Sequence, residues 1–474
     1  MISQETIDAI LDRADIVTVI REAVPDLVRK GSTYVCCCPF HQEKTPSFHV
    51  SPARQTWHCF GACQEGGNVI KFVMKHENYT FPQAVKSLAK RFGVDFFEAE
   101  ETDVEREQRL HRESIYNLNE RVANYFVKNL FDPANGKALQ YAYSRFGEQY
   151  VRESGMGYAK KHNDLFTWAS KHGENFDLLE EASLLGVNSE SNEYYDFFRD
   201  RLVFPIRDRS KHIVGFTARD LTGSSESKYL NSKESIVYKK KHCIFGIDEA
   251  IREGVKKGQF FLVEGAPDVL KMHSVGICNV VAPLGGAWTK EQLTTLKKSC
   301  NMLCFINDAD PPSESERFGA GIKYVIKNGK QAIAMGFKVS VRELPLAEGN
   351  RKQDPGSFFT AASQLDLLPE EEFCGWYARK TWNDKDNVYQ KTDWMSDVAE
   401  VASYFENATT LDILIEELNK IRKGKDVWRQ RIMGAKRERQ REETNRKQQI
   451  DLLQYGFYEE NNCYIGMSDK GELV

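Results

Sequence analysis

Cys38-Pro39-Phe40-His41 and, further on, Cys59-Phe60-Gly61-Ala62-Cys63 set one imidazole and three thiols in the order that wraps a tetrahedral metal ion. Zinc takes such soft nitrogen and sulfur donors, and a closed set of four marks a structural ion rather than a catalytic one. Cys36 and Cys37 compete for the first position, but only Cys38 leaves the two-residue gap to His41; Cys59 and Cys63 complete the set. The competing interpretation is a cluster of buried or redox-active thiols. A second set is acidic. Glu264 and Asp268 follow the apolar run 260–263, Asp308 and Asp310 end the run 302–306, and Asp354 follows the run 338–341. Carboxylates arranged in this way suit hard ions such as magnesium or manganese, which also hold phosphates. A single acid after a strand is an ordinary loop former. Two close, buried pairs would repel each other without a divalent ion to compensate them.

A basic stretch lies between the two sets. From Arg199 to Lys257 there are fourteen Lys or Arg against eight Asp or Glu, among them Arg199, Arg201, Arg207, Arg219, Lys228 and Lys239 to Lys241. Such side chains hold nucleic-acid phosphates without reading sequence. Alone, the run would be read as a solvated surface; leading into a candidate metal site, it reads as a polyanion-binding face.

These residues need elements to position them. Residues 1–97 read as a small zinc-ribbon module. Ser3 and Asp15 are placed to cap two short helices, Ser47–Val50 and Thr56–Cys59 read as strands, and helices are expected after Asn68 and over Phe81–Phe92. The polar stretch 98–114 has little to bury and reads as a linker. Residues 115–257 form a basic subdomain with a strand pair at Leu202–Ile206 and His212–Phe216. In 258–365 apolar runs alternate with helical patterns, which predicts buried, parallel strands covered by helices. Acids ending such strands stand where an open α/β sheet binds ligands. Residues 366–474 read as a mainly helical tail of unassigned role, with Leu411, Ile413, Leu414, Ile415 and Leu418 suggesting an amphipathic helix. Eleven basic residues against four acidic ones between Arg422 and Lys447 point to a solvated helix, a helicase-docking surface or a nucleic-acid contact.

Composition bounds the class. A chain of 474 residues, 41% hydrophobic and 28% charged, is expected to be a multidomain globular protein. It has no apolar run of membrane-spanning length and no export signal at Met1–Glu5, so a cytoplasmic location without membrane partners is expected. There the eleven cysteines would stay reduced. The net charge of −4 makes any nucleic-acid surface a local patch.

The motifs together carry a family resemblance. Tyr34 to Asn68, with its CPFHQEKTPSFHV and WHCFG segments, resembles the zinc ribbon of bacterial DnaG-type DNA primases. Phe198 to Asp208 is similar to the signature opening their catalytic core, Lys228-Tyr229-Leu230-Asn231-Ser232 and Ile244-Phe245-Gly246 to its next motifs. Val263-Glu264-Gly265 and Asp308-Ala309-Asp310 resemble the metal-binding fold shared by primases and topoisomerases, the Toprim fold. The resemblance implies a zinc-ribbon module, an α/β catalytic core with a Toprim subdomain, and a helical tail. It implies a nucleotidyltransferase, a DNA-directed RNA polymerase, that copies single-stranded DNA into short RNA primers from ribonucleoside triphosphates in the primosome during replication. Glu264, Asp268, Asp308 and Asp310 would be its catalytic acids. Glu264, Asp308, Asp310 and Asp354 would hold magnesium or manganese for two-ion displacement; for Glu264 the alternative role is general base. Arg199, Arg201, Arg219, Lys228, Asn231 and Lys240 would grip template, primer or triphosphate. Trp57 and Phe48 are either stacking platforms for unpaired bases or ribbon core. In the family the region after the core commonly contacts a replicative helicase, although no residue match in 366–474 supports that transfer.

Three departures stand out. The second zinc pair is CxxxC where CxxC is usual. The third acidic motif reads Asp354-Pro355-Gly356 where Asp-Pro-Asp is usual, so one carboxylate is missing. An insertion, Pro311 to Glu316, lengthens the loop after Asp310. Competing assignments are a catalytically weak or inactive primase-derived DNA-binding protein, which Gly356 favours, and a Toprim nuclease. A type IA topoisomerase needs a further tyrosine-bearing domain larger than the tail, and a fused helicase needs a Walker loop, which Gly329-Lys330-Gln331 does not supply.

Overall fold

A computed structural model describes residues 4–77, 79–95, 102–311, 317–454, 458–460 and 463–465. Ser3 and most of the 311–316 insertion lie outside the described residues. The chain forms two units, Met1–Leu110 and His111–Val474.

In the first unit, helices Gln4–Arg13 and Ile16–Ala23 precede a five-stranded antiparallel ribbon of β1 (Val28–Lys30), β2 (Thr33–Cys36), β3 (Phe48–Ser51), β4 (Thr56–Cys59) and β5 (Gly66–Gly67), ordered by sequence. Helices Val69–His76 and Phe81–Phe92 close it. Asp15 caps as expected, its carboxylate accepting from the Thr18 N–H at 2.9 Å. Both expected strands are present as β3 and β4, and their alternation turns Phe48, Val50, Trp57 and Cys59 inward. Phe48 and Trp57 are core, not stacking platforms: they are 0% and 1% exposed, lie ring on ring at 5.0 Å, and the Trp57 indole N–H donates to the Asn68 carbonyl.

Helix Asp103–Leu130 runs from the end of the first unit into the second. The stretch expected as a linker is therefore helical from Asp103, its polar turns ahead of a stripe of Ile115, Leu118, Val122 and Phe126 that is buried. An antiparallel sheet follows, built of β6 (Gly157–Ala159), β9 (Arg201–Arg207), β10 (Ile213–Asp220) and β11 (Tyr229–Asn231) in the order β11-β10-β9-β6; β7 (Leu185–Val187) and β8 (Tyr194–Asp196) pair separately. A six-stranded sheet has the order β12-β14-β13-β15-β16-β17, from β12 (Ile244–Phe245), β13 (Gln259–Leu262), β14 (Val280–Pro283), β15 (Met302–Asn307), β16 (Lys338–Glu343) and β17 (Glu371–Glu372). Its four central strands are parallel and its two edges antiparallel. The expected buried parallel runs are thus present, and antiparallel strands finish the sheet.

Helices Phe373–Thr381, Val388–Ala402, Ala408–Ile421 and Lys425–Gln454 make up the tail. Trp376, Trp394, Leu414, Leu418 and Trp428 share one apolar core with Phe260, Leu262, Phe305 and Val341 of the six-stranded sheet. Gly329 makes this approach possible, since a β-carbon there would collide with the Phe373 ring. Among the described residues no helix is long and apolar enough to cross a membrane.

Candidate metal centre and acidic cleft

In the ribbon, Cys38, His41, Cys59 and Cys63 present ligand atoms that all lie within 4.8 Å of one another. Cys38 Sγ and Cys63 Sγ are 3.7 Å apart, and Cys59 Sγ stands 3.9 Å from His41 Nδ1. Sulfurs sharing a tetrahedral zinc at about 2.3 Å are separated by about 3.8 Å, so this donor set fits the ion. Cys36 is buried on β2 and Cys37 is exposed, and neither joins the group. The extra residue in the CxxxC pair does not keep Cys63 out. Glu43, unremarked in the sequence, supports the cluster: Oε2 stands 3.0 Å from His41 Nε2, and Oε1 accepts the Cys38 N–H at 2.6 Å. A carboxylate on the outer imidazole nitrogen leaves Nδ1 to face the metal. Just after β4, Phe60 is 68% exposed, flanked by His49 and His58 at ring distances of 5.1 and 4.6 Å.

In the second unit the acids meet because of register. Leu262 pairs with Phe305 across the parallel β13–β15 ladder, so Glu264, two residues on, stands level with Asn307 and beside Asp308. Glu264 Oε1 accepts the Asp308 N–H at 3.4 Å. Ala309 and Gln353 then exchange both backbone hydrogen bonds, at 2.8 and 3.0 Å, and this antiparallel bridge carries Lys352 and Asp354 to the Asp308-Ala309-Asp310 turn. Asp268 sits in the first turn of helix Ala266–Ser274 and accepts the Gly356 N–H at 3.1 Å. Asp354 caps the short helix Pro355–Phe358, accepting from the Ser357 N–H. Gly321 lets helix Ala320–Ala334 start against the turn, where a β-carbon would strike the Asp308 carbonyl oxygen; its N–H donates to Asp310 Oδ2 at 2.8 Å.

Proximity perturbs the carboxyls. Burial, then the neighbouring Asp308, pushes Glu264 up to about 7. Burial, with Asp308 and Asp354, pushes Asp268 up to about 8. Burial also raises Asp308, against the opposing pull of Lys352. For Asp310 burial works upward, but Lys352 and the Gly321 N–H hold it below the ordinary range. Asp308 Oδ1 is buried and has no hydrogen-bond partner among the described residues. An orphaned oxygen in a nest of acids is a ready cation ligand, so these residues fit a divalent ion.

A cleft of about 430 Å³ joins Glu264, Asp268, Asp308 and Asp354 to Arg219, Lys228 and Asn231. Arg219 lies between the Tyr141 and Tyr229 rings at 5.1 and 5.6 Å and donates to the Tyr229 hydroxyl. Asn231 donates to the Leu284 carbonyl. Lys240 reaches Gly285 on the cleft wall, its Nζ 3.9 Å from where a β-carbon there would be. Two expected residues stand elsewhere. Arg201 is buried, and its guanidinium is spent on Ser225 Oγ and the Ser227 carbonyl, because its strand faces it inward. Arg199 is exposed over the Tyr195 ring and does not line the cleft. Two cleft residues were not foreseen, Arg145 and Lys352; a lone Arg in a helical pattern and a Lys in a loop carry no signal of their own.

A four-donor ribbon together with an acid-edged parallel sheet defines a zinc-binding protein with a Toprim-type core. Three family models match in that order: the CHC2 zinc finger at residues 2–104, the DNA primase catalytic core N-terminal domain at 125–251, and a Toprim-like domain at 261–358. The chain belongs to the bacterial DnaG-type DNA primase family. It is 33% identical to a Staphylococcus aureus DNA primase over 348 residues, covering 73% of this chain and 56% of the relative. To a Pseudomonas aeruginosa DNA primase it is 37% identical over 374 residues, covering 77% and 54%. The chain therefore spans about half the length of the curated relatives it matches. The zinc-binding and RNA polymerase domains of the Aquifex aeolicus primase align over 89% of this chain and 98% of that one, with a TM-score of 0.54 and 30% identity.

Proposed function

We propose that the protein is a DNA primase, a nucleotidyltransferase that copies a single-stranded DNA template into short RNA primers from ribonucleoside triphosphates in the cytoplasm. The observation that carries this reading is one cleft in which Glu264, Asp268, Asp308 and Asp354 face Arg219, Lys228 and Asn231. Magnesium or manganese held by Glu264, Asp308, Asp310 and Asp354 would supply Lewis-acid activation of the primer 3′-hydroxyl and neutralise charge on the triphosphate.

The protein's own groups do the rest. In the alternative role, with the ions left to the aspartates, Glu264 would take the 3′-hydroxyl proton, burial and Asp308 having raised its carboxyl to about 7. The Gly356 N–H holds Asp268 in place at the cleft floor. Arg219, pinned between two tyrosine rings, offers its remaining donors to phosphate at small entropic cost. Lys228 and Lys240 add charge at the cleft and its wall, and Arg199 extends the basic surface beyond it. In the zinc ribbon, Phe60 offers an exposed ring on which an unpaired template base can stack.

The test is incubation of the protein with single-stranded template, labelled ribonucleotides and magnesium or manganese, resolved on a sizing gel. Short products that vanish with Glu264→Gln and Asp308→Asn are expected. Absence of products from the wild-type chain, with template still bound, would favour a primase-derived binding protein.

A further inference from the structure

The Lys352 ammonium lies 2.8 Å from Asp308 Oδ2 and 2.7 Å from Asp310 Oδ1. It bridges the two acids of the Asp-x-Asp turn. Its position is set by backbone rather than chance, since the Ala309–Gln353 bridge delivers residue 352 opposite residue 310. A divalent ion ligated by those oxygens would sit about 2.0–2.6 Å from each. An ammonium already in contact with both leaves no room for it, so the two cations exclude each other. Lys352 is also free to leave: its side chain is 51% exposed on a loop, and a flexible four-carbon stem carries the charge. Asp308 Oδ1 stays unpartnered while Lys352 is in place, so the cluster keeps a free ligand oxygen for an arriving ion.

We propose that Lys352 is a tethered cation that occupies the Asp308–Asp310 seat until a divalent ion displaces it, and so sets the concentration of free divalent ion the protein requires. This rests on the reading that these carboxylates hold magnesium or manganese.

The experiment is calorimetric titration of the full chain with manganese, without nucleotide, for the wild type, Lys352→Gln and Lys352→Arg. Removing a competing charge at this range should tighten manganese binding about tenfold in Lys352→Gln, while Lys352→Arg stays near wild type. Equal or weaker binding by Lys352→Gln overturns the proposal and leaves the metal reading standing. No uptake by any of the three overturns both. A second readout uses the wild type alone: acetylation of Lys352 by an amine-reactive ester, followed by peptide mass spectrometry, should rise several-fold when manganese is added. Unchanged labelling in the presence of bound manganese overturns the displacement.

Discussion

The Gly356 N–H donates to Asp268 Oδ1 at 3.1 Å, and this bond ties the third acidic segment to the first. A β-carbon at 356 would stand 3.1 Å from that same oxygen and 2.9 Å from Arg145 Nη2. Gly356→Asp would restore the acid expected at this position but set a further negative charge against Asp268 and Asp354. Without divalent ion, its melting temperature should fall by about 1 °C, the equivalent of roughly 1 kcal/mol in a unit of this length. Saturating magnesium should close that gap. Gly356→Asn, which crowds the same atoms without charge, should fall equally with and without magnesium; paired melting curves separate the two.

Protonation of the acids sets a pH dependence. Asp268 moves from 3.8 to about 8 and Glu264 from 4.5 to about 7 on folding. Between those values the folded state binds more protons than the unfolded one, so their contribution to stability falls as pH rises and levels off above about 8. The metal-free protein should lose melting temperature between pH 5.5 and pH 8 on account of these groups. Asp268→Asn should flatten the profile, and magnesium should restore stability at pH 8. A profile equally steep in Asp268→Asn would show that other groups dominate.

The ribbon gives a sharper contrast. Cys38→Ser should bind no zinc and lose the fold of residues 4–95, whereas Cys36→Ser should keep one zinc per chain. Elemental analysis of freshly purified protein, with near-ultraviolet circular dichroism to follow Trp57, reads both outcomes. Glu43→Gln should retain the metal but weaken its affinity by about tenfold or more, measured by chelator competition.

Arg201 and Lys228 separate structure from binding. Arg201→Ala removes a buried guanidinium that holds the exposed 225–227 loop through the Ser225 hydroxyl and Ser227 carbonyl, and should cost about 1–2 kcal/mol of stability by denaturant titration. Lys228→Ala should leave stability within about 0.5 kcal/mol while weakening binding of single-stranded DNA and reducing its salt dependence.

The Cys/His cluster and the strand-end acids were legible because each motif is local and its chemistry is written in a few adjacent residues. Their convergence was legible too, since buried runs of similar length make a parallel sheet whose ends coincide. Other features depended on partners remote in sequence. Lys352 and Arg145 reach the cleft from a loop and a helix that only the folded chain brings near. Arg201 reads like its basic neighbours, and the pleat alone decides that it faces inward. Trp57 was ambiguous for the same reason, since aromatic rings suit both a core and a stacking surface. Polar turns concealed the helical start at Asp103, because apolar periodicity begins only near Ile115.

The tryptophans of the tail fill the space beneath the six-stranded sheet, and Gly329 has given up its side chain to admit Phe373. A chain severed after residue 365 would strip Phe373 from Gly329 and uncover the apolar faces of helix Ala320–Ala334 and β16, a sticky surface inviting aggregation. Any tail grafted onto this core would have to present a ring that fits the space Gly329 leaves, which makes the last hundred residues hard to replace.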